Sequence, residues 1–180
     1  MTVDYFKKYF REDGIDLPAL LNDDFMKPIK LLFQHEHYVS AAKLLFSFID
    51  SVGYVEFGNS TANPFTSWLS TYADLTALGI TAEELWEQRN SLLHMSNLDS
   101  RKVLSGKVKR LVFYVGKMPP SVSLQEHDTK YYSLTAFICA FAAACEDWLQ
   151  SYNTSRDKLP TFVERYDLIT SDSRMLRIDL

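Results

Sequence analysis

Cysteine is scarce in this chain of 180 residues, which contains only Cys139 and Cys145. Two cysteines are too few to build the disulfide framework of a small secreted domain. Five residues separate them on a segment that reads as one helix, so they point in different directions and do not pair there. We therefore interpret both as small apolar residues of the core.

The chain also lacks a long apolar run and a general excess of basic residues. Its most apolar stretch, LTAFICAFAAAC (134–145), is too short to cross a bilayer and leads directly into two acidic residues. The first residues, MTVDYFKKYFRED, mix charges with aromatic side chains and contain no signal-peptide core. A formal net charge of −4 excludes a generally basic nucleic-acid coat. These absences predict a soluble, cytoplasmic protein with no membrane partner.

The composition, 47% hydrophobic and 14% aromatic, is that of a globular protein, and the length predicts a single domain over 1–180. Apolar residues spaced three to four apart predict a long buried helix over 28–52. Further helices are predicted over 65–78, from residue 81 to near HMSNLDS (94–100), and over 129–152. The stretch KVKRLVFYVG (107–116) has the β-branched and aromatic content of a strand. The pattern predicts an all-α fold, an antiparallel bundle of four to five main helices with a small β element near 107–116.

Three other segments receive weaker assignments. Residues 3–11 predict a short amphipathic helix, and DGIDLPALLNDD (13–24) reads as a connector. The C-terminal tail, 159–180, has alternating patches that leave its structure open, with a strand as one reading.

The stretch ELWEQRNSLLHMSN (84–97) contains a cation where a helix needs an apolar side chain. On a helical wheel at 100° per residue, Arg89 falls near the centre of an apolar arc about 120° wide, formed by Ala82, Leu85, Trp86, Leu92 and Leu93. Thr81 and Glu84 match the capping box that begins such a helix. The polar face carries Glu87, Asn90, Ser91 and His94. Arg89 and His94 lie about 140° apart, so only the length of arginine, or a second copy of the helix, brings them together.

The sequence RNSLLH, from Arg89 to His94, resembles the R-N-x-x-x-H signature of HEPN domains. The identity covers six residues, and the long apolar helix before the motif helix is also similar to the order of elements in that family. The resemblance implies a helical bundle that forms a homodimer. It further implies, for many members, a metal-independent endoribonuclease without a cofactor that acts as a toxin or in phage defence. Candidate partners are then RNA and an antitoxin or a nucleotidyltransferase-like protein.

The residue types suit this chemistry. Cleavage of RNA without a metal begins with attack of the ribose 2′-hydroxyl on the adjacent phosphorus. His94 can accept or donate a proton at neutral pH, because an unperturbed imidazole has a pKa of about 6.5. Arg89 stays charged and offers planar donors to phosphate oxygens, and Asn90 would orient His94 or hold a phosphate oxygen. The sequence shows no cluster of residues with metal-ligand spacing, and His35 and His37 of HEH (35–37) would point apart on a helix.

A structural interpretation stands beside the catalytic one. Arg89 could be a buried arginine paired with a carboxylate of the long helix, with Asp50 as the first candidate and Glu36 as the second; an unpaired buried cation costs several kcal/mol. His94 could simply face the negative end of the helix dipole. The alternative function is a non-catalytic HEPN-like module that binds a nucleotide, RNA or a protein.

A basic stretch follows the motif. Six basic residues and no acidic ones lie between residues 101 and 117: Arg101, Lys102, Lys107, Lys109, Arg110 and Lys117. The other 163 residues carry 13 basic and 23 acidic side chains. We expect these cations to follow an RNA backbone toward the site, with Phe113 and Tyr114 stacking a base. A solvated strand face explains the same pattern without RNA.

Overall fold

A computed structural model describes residues 5–12, 14–94, 97–118 and 127–171. Most of these residues lie in helices, and two small two-stranded sheets accompany them, so the predicted helical class with a small β element is confirmed. The chain divides into two compact units, Met1–Leu45 and Phe46–Leu180, and the single domain over 1–180 stays a prediction. Within the described ranges, every helix is too short or too polar to span a lipid bilayer.

The first unit is more structured than its sequence suggests. A 3₁₀ helix covers Tyr5–Tyr9 in place of the predicted amphipathic helix, and β1 (Phe10–Arg11) pairs antiparallel with β2 (Gly14–Ile15). The predicted connector contains α1 (Leu17–Leu21), which continues through a π-helical turn, Asn22–Met26, into α2 (Lys27–Gln34). The connector assignment was wrong because Asp16 caps α1, accepting a hydrogen bond from the backbone N–H of Ala19 at 3.0 Å.

The predicted helix over 28–52 is broken at residues 35–37, and α3 (Tyr38–Phe57) begins beyond the break. Glu36 has a φ of 60°, and two backbone hydrogen bonds from residues just beyond the helix close the end of α2. The backbone N–H of His37 donates to the carbonyl of Leu32, and that of Glu36 donates to Phe33. This is the Schellman pattern, here with glutamate rather than glycine in the left-handed position, so no glycine marks the end of α2.

The second unit holds the remaining elements. They are the later part of α3, α4 (Pro64–Tyr72), a 3₁₀ turn (Thr76–Leu78), α5 (Ala82–His94), α6 (Arg101–Leu104), β3 (Arg110–Tyr114), β4 (Thr129–Ser133), α7 (Leu134–Thr154), a 3₁₀ turn (Arg156–Lys158) and α8 (Leu159–Ser171). Its core is strongly aromatic, with fully buried rings at Phe46, Phe48, Phe65, Trp68, Phe137, Phe141, Trp148 and Phe162. Helices α3 and α4 approach closely at Gly53. A Cβ added there would lie 2.7 Å from the carbonyl oxygen of Pro64.

Three predictions for the C-terminal half need correction. Residues 129–133 form β4, parallel to β3, and not the first turn of a helix, which starts only after Ser133 caps α7 through the N–H of Ala136. The described part of the tail is helix α8 and not a strand, and 172–180 lie outside the described residues. Cys139 is exposed, so its core assignment was wrong, whereas Cys145 is buried and burial raises the pKa of its thiol to about 12.

A buried carboxylate links several helices of this unit. Oε1 of Glu56 accepts from Lys158 Nζ at 2.5 Å and Tyr72 OH at 3.1 Å, and its Oε2 accepts from Trp148 Nε1 at 2.9 Å and Tyr152 OH at 3.0 Å. Burial by itself raises the pKa of Glu56, but the hydrogen bonds and charge of Lys158 and the aromatic donors outweigh it, and the pKa is lowered. The carboxylate therefore holds α3, α4, α7 and the turn before α8 together.

Candidate functional site

Helix α5 carries the motif and begins as the sequence predicts. The side chain of Thr81 accepts from the backbone N–H of Glu84 at 3.2 Å, and Glu84 accepts from the N–H of Thr81 at 2.9 Å. This reciprocal pair is a capping box, and it fixes the first turn of α5.

Buried polar side chains then attach α5 to the β3–β4 sheet. Glu84 Oε1 lies 2.7 Å from Lys130 Nζ on β4. Gln88 donates to the backbone carbonyl of Leu111 on β3 at 3.1 Å and accepts from Tyr132 OH on β4 at 2.7 Å. Because buried amides are costly to leave unpaired, these bonds specify one position of the helix on the sheet.

Glu87 and Ser91, which we predicted on the polar face as supports for the motif residues, bind other groups. Glu87 is 5% exposed and pairs with Lys102 Nζ at 3.0 Å, and Ser91 is fully buried and donates to the carbonyl of Glu87 at 2.9 Å. The predicted polar face is therefore divided, since Glu87 and Ser91 are buried while Asn90 is half-buried and His94 exposed. The hydrogen bonds of Glu87 and Ser91 do not reach the motif side chains. Glu87 pairs with a lysine of α6, which a helical wheel of α5 cannot include, and Ser91 bonds to the backbone of its own helix.

The guanidinium of Arg89 lies between α3 and the end of α5. Its Nε donates to Asp50 Oδ2 at 2.7 Å, and its Nη2 lies 2.6 Å from the same oxygen. Its Cζ lies 5.0 Å from the ring centroid of Trp86, which packs on Phe65. The predicted partner Asp50 is confirmed. The other candidate, Glu36, is exposed and lies before α3 begins.

The same guanidinium reaches the other two motif residues. Arg89 Nη1 lies 3.0 Å from Asn90 Oδ1 and 3.0 Å from His94 Nε2. Although Arg89 and His94 leave the helix in different directions, the length of the arginine side chain brings them together within one chain. Because arginine only donates, Nε2 of His94 must accept, and a neutral His94 then carries its proton on Nδ1.

The cluster has two largely buried charged members, Asp50 and Arg89, and one exposed member, His94. The side chain of Asp50 is 28% exposed and that of Arg89 18%, whereas His94 is exposed at the last residue of α5. Burial raises the pKa of Asp50, and the hydrogen bond and charge of Arg89 and the charge of His94 only partly oppose this rise. Asp50 and Trp86 hold one side of the Arg89 guanidinium, and the exposed His94 is its contact on the solvent side.

The basic stretch is partly neutralised by acidic neighbours. Lys102 pairs with Glu83 as well as with Glu87, and these hydrogen bonds raise its pKa. Arg110 donates through Nε at 2.9 Å and Nη2 at 2.7 Å to Asp99 Oδ1. Both were predicted to bind RNA, and neither offers an unpaired charge.

The other basic residues of the stretch make no ion pair with any residue in the described ranges; they are Arg101, Lys107, Lys109 and Lys117. Arg101, Lys107 and Lys117 are exposed and Lys109 is half-buried. Phe113 and Tyr114 are half-buried on β3. The ring of Phe113 packs edge-on against Tyr132, with 6.4 Å between the ring centroids, so Phe113 is partly used for packing.

Two residues of this region were missed from the sequence as partners. Trp86 was assigned only to the apolar arc, although a residue three positions before Arg89 shares its side of the helix. Asp99 follows the helix in a loop and gave no signal. With Arg110 it lines an open groove of about 570 Å³, whose other walls come from Leu98, Val112, Asp128, Thr129 and Tyr131.

Among the described residues, no group of three or more histidine, cysteine or acidic side chains is placed to hold a metal ion. His35 and His37 lie exposed in the break between α2 and α3. Comparisons with protein-family models, with curated proteins and with solved structures found no match to this chain. The HEPN resemblance therefore stays a prediction that depends on Arg89, Asn90 and His94 and on the helix that carries them.

Proposed function

We propose that this protein is a HEPN-like, metal-independent endoribonuclease in which Arg89, Asn90 and His94 act on one RNA phosphodiester. The observation that supports this most directly is the contact of Arg89 Nη1 with both Asn90 Oδ1 and His94 Nε2, each at 3.0 Å. A cation and an imidazole thus meet at an exposed position, which is what phosphate binding with proton transfer requires.

The proposed reaction is an internal transesterification. The ribose 2′-oxygen loses its proton to an imidazole and attacks phosphorus, and the bond from phosphorus to the 5′-oxygen breaks as that oxygen gains a proton. The products are a 2′,3′-cyclic phosphate and a 5′-hydroxyl. Arg89 stabilises the charge on the phosphoryl oxygens, a contribution of about 3 kcal/mol for one well-placed donor. Asp50 and Trp86 hold the guanidinium in place, and Asn90 fixes the orientation of its Nη1.

The need for two proton-transfer groups supports a homodimer. One group takes the proton of the 2′-hydroxyl and another gives a proton to the leaving oxygen. One chain supplies the single imidazole of His94 beside Arg89, and Asp50 is already engaged by the arginine. A second copy of α5 across a two-fold axis would supply the second imidazole.

The unpaired cations give the proposed RNA path. Arg101, Lys107 and Lys109 lie on α6 and before β3, downstream of the motif, and would contact successive phosphates. Lys102 and Arg110 would contribute little because Glu83, Glu87 and Asp99 already neutralise them.

The central test is cleavage of total RNA and of a defined oligoribonucleotide in the presence of EDTA. We expect His94→Ala to lower the cleavage rate by about 10²- to 10⁴-fold, because it removes a proton-transfer group. Chelation should leave the activity of the unaltered protein unchanged, and the products should carry 2′,3′-cyclic phosphate ends.

His127→Ala is the matched control, because His127 is another exposed histidine outside the cluster. It should cleave like the unaltered protein. Equal cleavage by His94→Ala, or loss of all cleavage on chelation, would reject the proposal.

A non-catalytic binding module is the second candidate, and one observation favours it. Asp50 offsets the charge of Arg89, and three of the five N–H groups of the guanidinium already have acceptors. A module of this kind would retain RNA or a nucleotide in a binding assay, and neither the unaltered protein nor His94→Ala would cut it.

A further inference from the structure

Each pair of neighbouring nitrogens in the Arg89 guanidinium includes one that already donates before any ligand arrives. An arginine has five N–H groups. Nε–H donates to Asp50 Oδ2, and the two N–H groups of Nη1 face Asn90 Oδ1 and His94 Nε2. Nη2 forms an ion pair with Asp50 Oδ2 at 2.6 Å, and it makes no hydrogen bond with any residue in the described ranges. Because two parallel hydrogen bonds make the strong contact between arginine and phosphate, a phosphate must displace one of the present partners.

The three partners differ in how easily they can leave. Asp50 is a charged acceptor on α3 that is mostly buried, and Asn90 is half-buried within α5. His94 is exposed and is the last residue of α5, where a helix frays and side chains rotate at low cost. It is also a neutral acceptor when it binds Arg89, and a phosphate oxygen is a charged one that competes more strongly for the guanidinium. The replaceable partner is therefore His94.

The contact with Arg89 also blocks the chemistry of the imidazole. Nε2 accepts from Nη1 through its lone pair, and the same lone pair is needed to take a proton. While this bond persists, the nitrogen cannot act as a general base, because a base must reach the proton that it abstracts.

From these contacts we infer that a phosphate group binding to Arg89 Nη1 displaces His94 and thereby frees the Nε2 that serves as base. The inference rests on the proposed function and adds its regulation: the site without substrate holds its own base inactive, and the phosphodiester activates it. Among the described residues, the charged group in contact with His94 is Arg89 of its own helix, and Asp50 of α3 binds the other side of that guanidinium. Asn90 keeps its bond to Nη1 and holds the guanidinium in place during the exchange.

The test follows the two ring nitrogens of His94 by NMR in the full chain labelled with ¹⁵N-histidine. Inorganic phosphate is the probe, at a pH of about 8 where imidazoles are neutral. His94→Ala identifies the signals of His94 among the four histidines. We expect a saturable change in the Nε2 shift with phosphate and no change with chloride at equal ionic strength.

Two variants make the result specific. In Arg89→Gln the Nε2 shift should already match that of the phosphate-saturated protein and should not respond to phosphate. In Asn90→Ala the His94 response should persist, because the bond to Asn90 is not the one that is exchanged.

The inference is overturned if phosphate binds saturably, as followed through the Arg89 and Asn90 backbone amides, while the ¹⁵N shifts of the His94 ring stay unchanged. Absence of saturable binding would overturn it as well. RNA cleavage without displacement of His94 would leave the nuclease proposal standing alone, and displacement without cleavage would leave only the exchange at Arg89.

Discussion

Arg89 and Glu56 are two charged side chains placed among apolar neighbours, and their surroundings differ in one respect. The carboxylate of Glu56 is 10% exposed, and all four of its protein donors are themselves partly or fully enclosed. The guanidinium of Arg89 contacts Asp50 and Trp86, which are partly buried, and it also contacts His94, which is exposed. Glu56 is therefore a structural group, whereas Arg89 keeps one side where a ligand can replace a side chain.

The structural role of Glu56 gives a pH prediction. Its folded pKa lies below the ordinary value of 4.5, so the carboxylate stabilises the fold above that pH, and the contribution is lost as the pH falls through the folded pKa. We expect Glu56→Gln to lower the free energy of unfolding by about 1–3 kcal/mol at neutral pH, since one acceptor of a buried network is lost.

Urea unfolding of both proteins at decreasing pH measures this effect. The difference between them should shrink as the solution becomes more acidic than pH 4.5, while the same change at the exposed Glu146 should have little effect at any pH. A difference that stays constant with pH would contradict the role assigned to the charge.

At this scale the sequence predicted one contact and left another open. Asp50 followed from the cost of burying a cation, because a carboxylate one helix away was the simplest compensation. The Arg89–His94 contact lies beyond a helical wheel, which reports the direction of Cβ and not the reach of a long side chain.

The elements that the sequence placed well are those with local signals. The capping box of α5 lies within a few residues, and the apolar periodicity indicated the bodies of α3 and α7 although not where these helices begin. The missed elements depend on distant partners. Strand β4 is recognisable only through its parallel pairing with β3, and the end of α2 only through a left-handed glutamate. The tail was missed because its mixed pattern fits a helix once the aromatic residues Phe162 and Tyr166 are buried.

The close crossing of α3 and α4 gives a prediction whose sign is informative. In an open helix, Gly53→Ala would raise stability by about 1 kcal/mol through helix propensity. Here the new methyl group would meet the carbonyl of Pro64 at 2.7 Å, so we expect a loss of about 1–3 kcal/mol.

Thermal and urea unfolding of Gly53→Ala measure this change. Ser70→Ala, at an exposed position of α4, should stay within about 0.5 kcal/mol of the unaltered protein. A stabilised Gly53→Ala would show that the two helices do not approach so closely.

At the scale of the whole molecule, the pairing of individual charges, more than the net charge, decides which cations are available to a ligand. The basic stretch gives six cations in the sequence, but the structure neutralises Lys102 and Arg110 with acidic residues from α5 and the following loop. The sequence could not separate these two from the remaining four, since ion pairs between elements depend on tertiary contacts. The number of subunits is equally beyond the sequence, and the homodimer stays a proposal from the chemistry.

Mixed dimers test that proposal directly. If each phosphodiester needs an imidazole from both subunits, a dimer of one unaltered and one His94→Ala chain is inactive. Subunits carrying different affinity tags are coexpressed in varied ratios, and we expect RNA cleavage to fall with the square of the unaltered fraction. A linear fall would show that each chain acts alone, and elution as a monomer in gel filtration would exclude the shared site.

The amide of Gln88 has a consequence for how bound nucleic acid would act on the protein. Gln88 immediately precedes Arg89 and grips the backbone of β3 at Leu111, while Lys109 directly precedes that strand. If RNA binds as proposed, a phosphate held by Lys109 would pull on β3, the strand to which Gln88 is bonded. Under the proposed function, tension in the bound RNA would reach the motif turn of α5 through the hydrogen bonds that join Gln88 to the sheet.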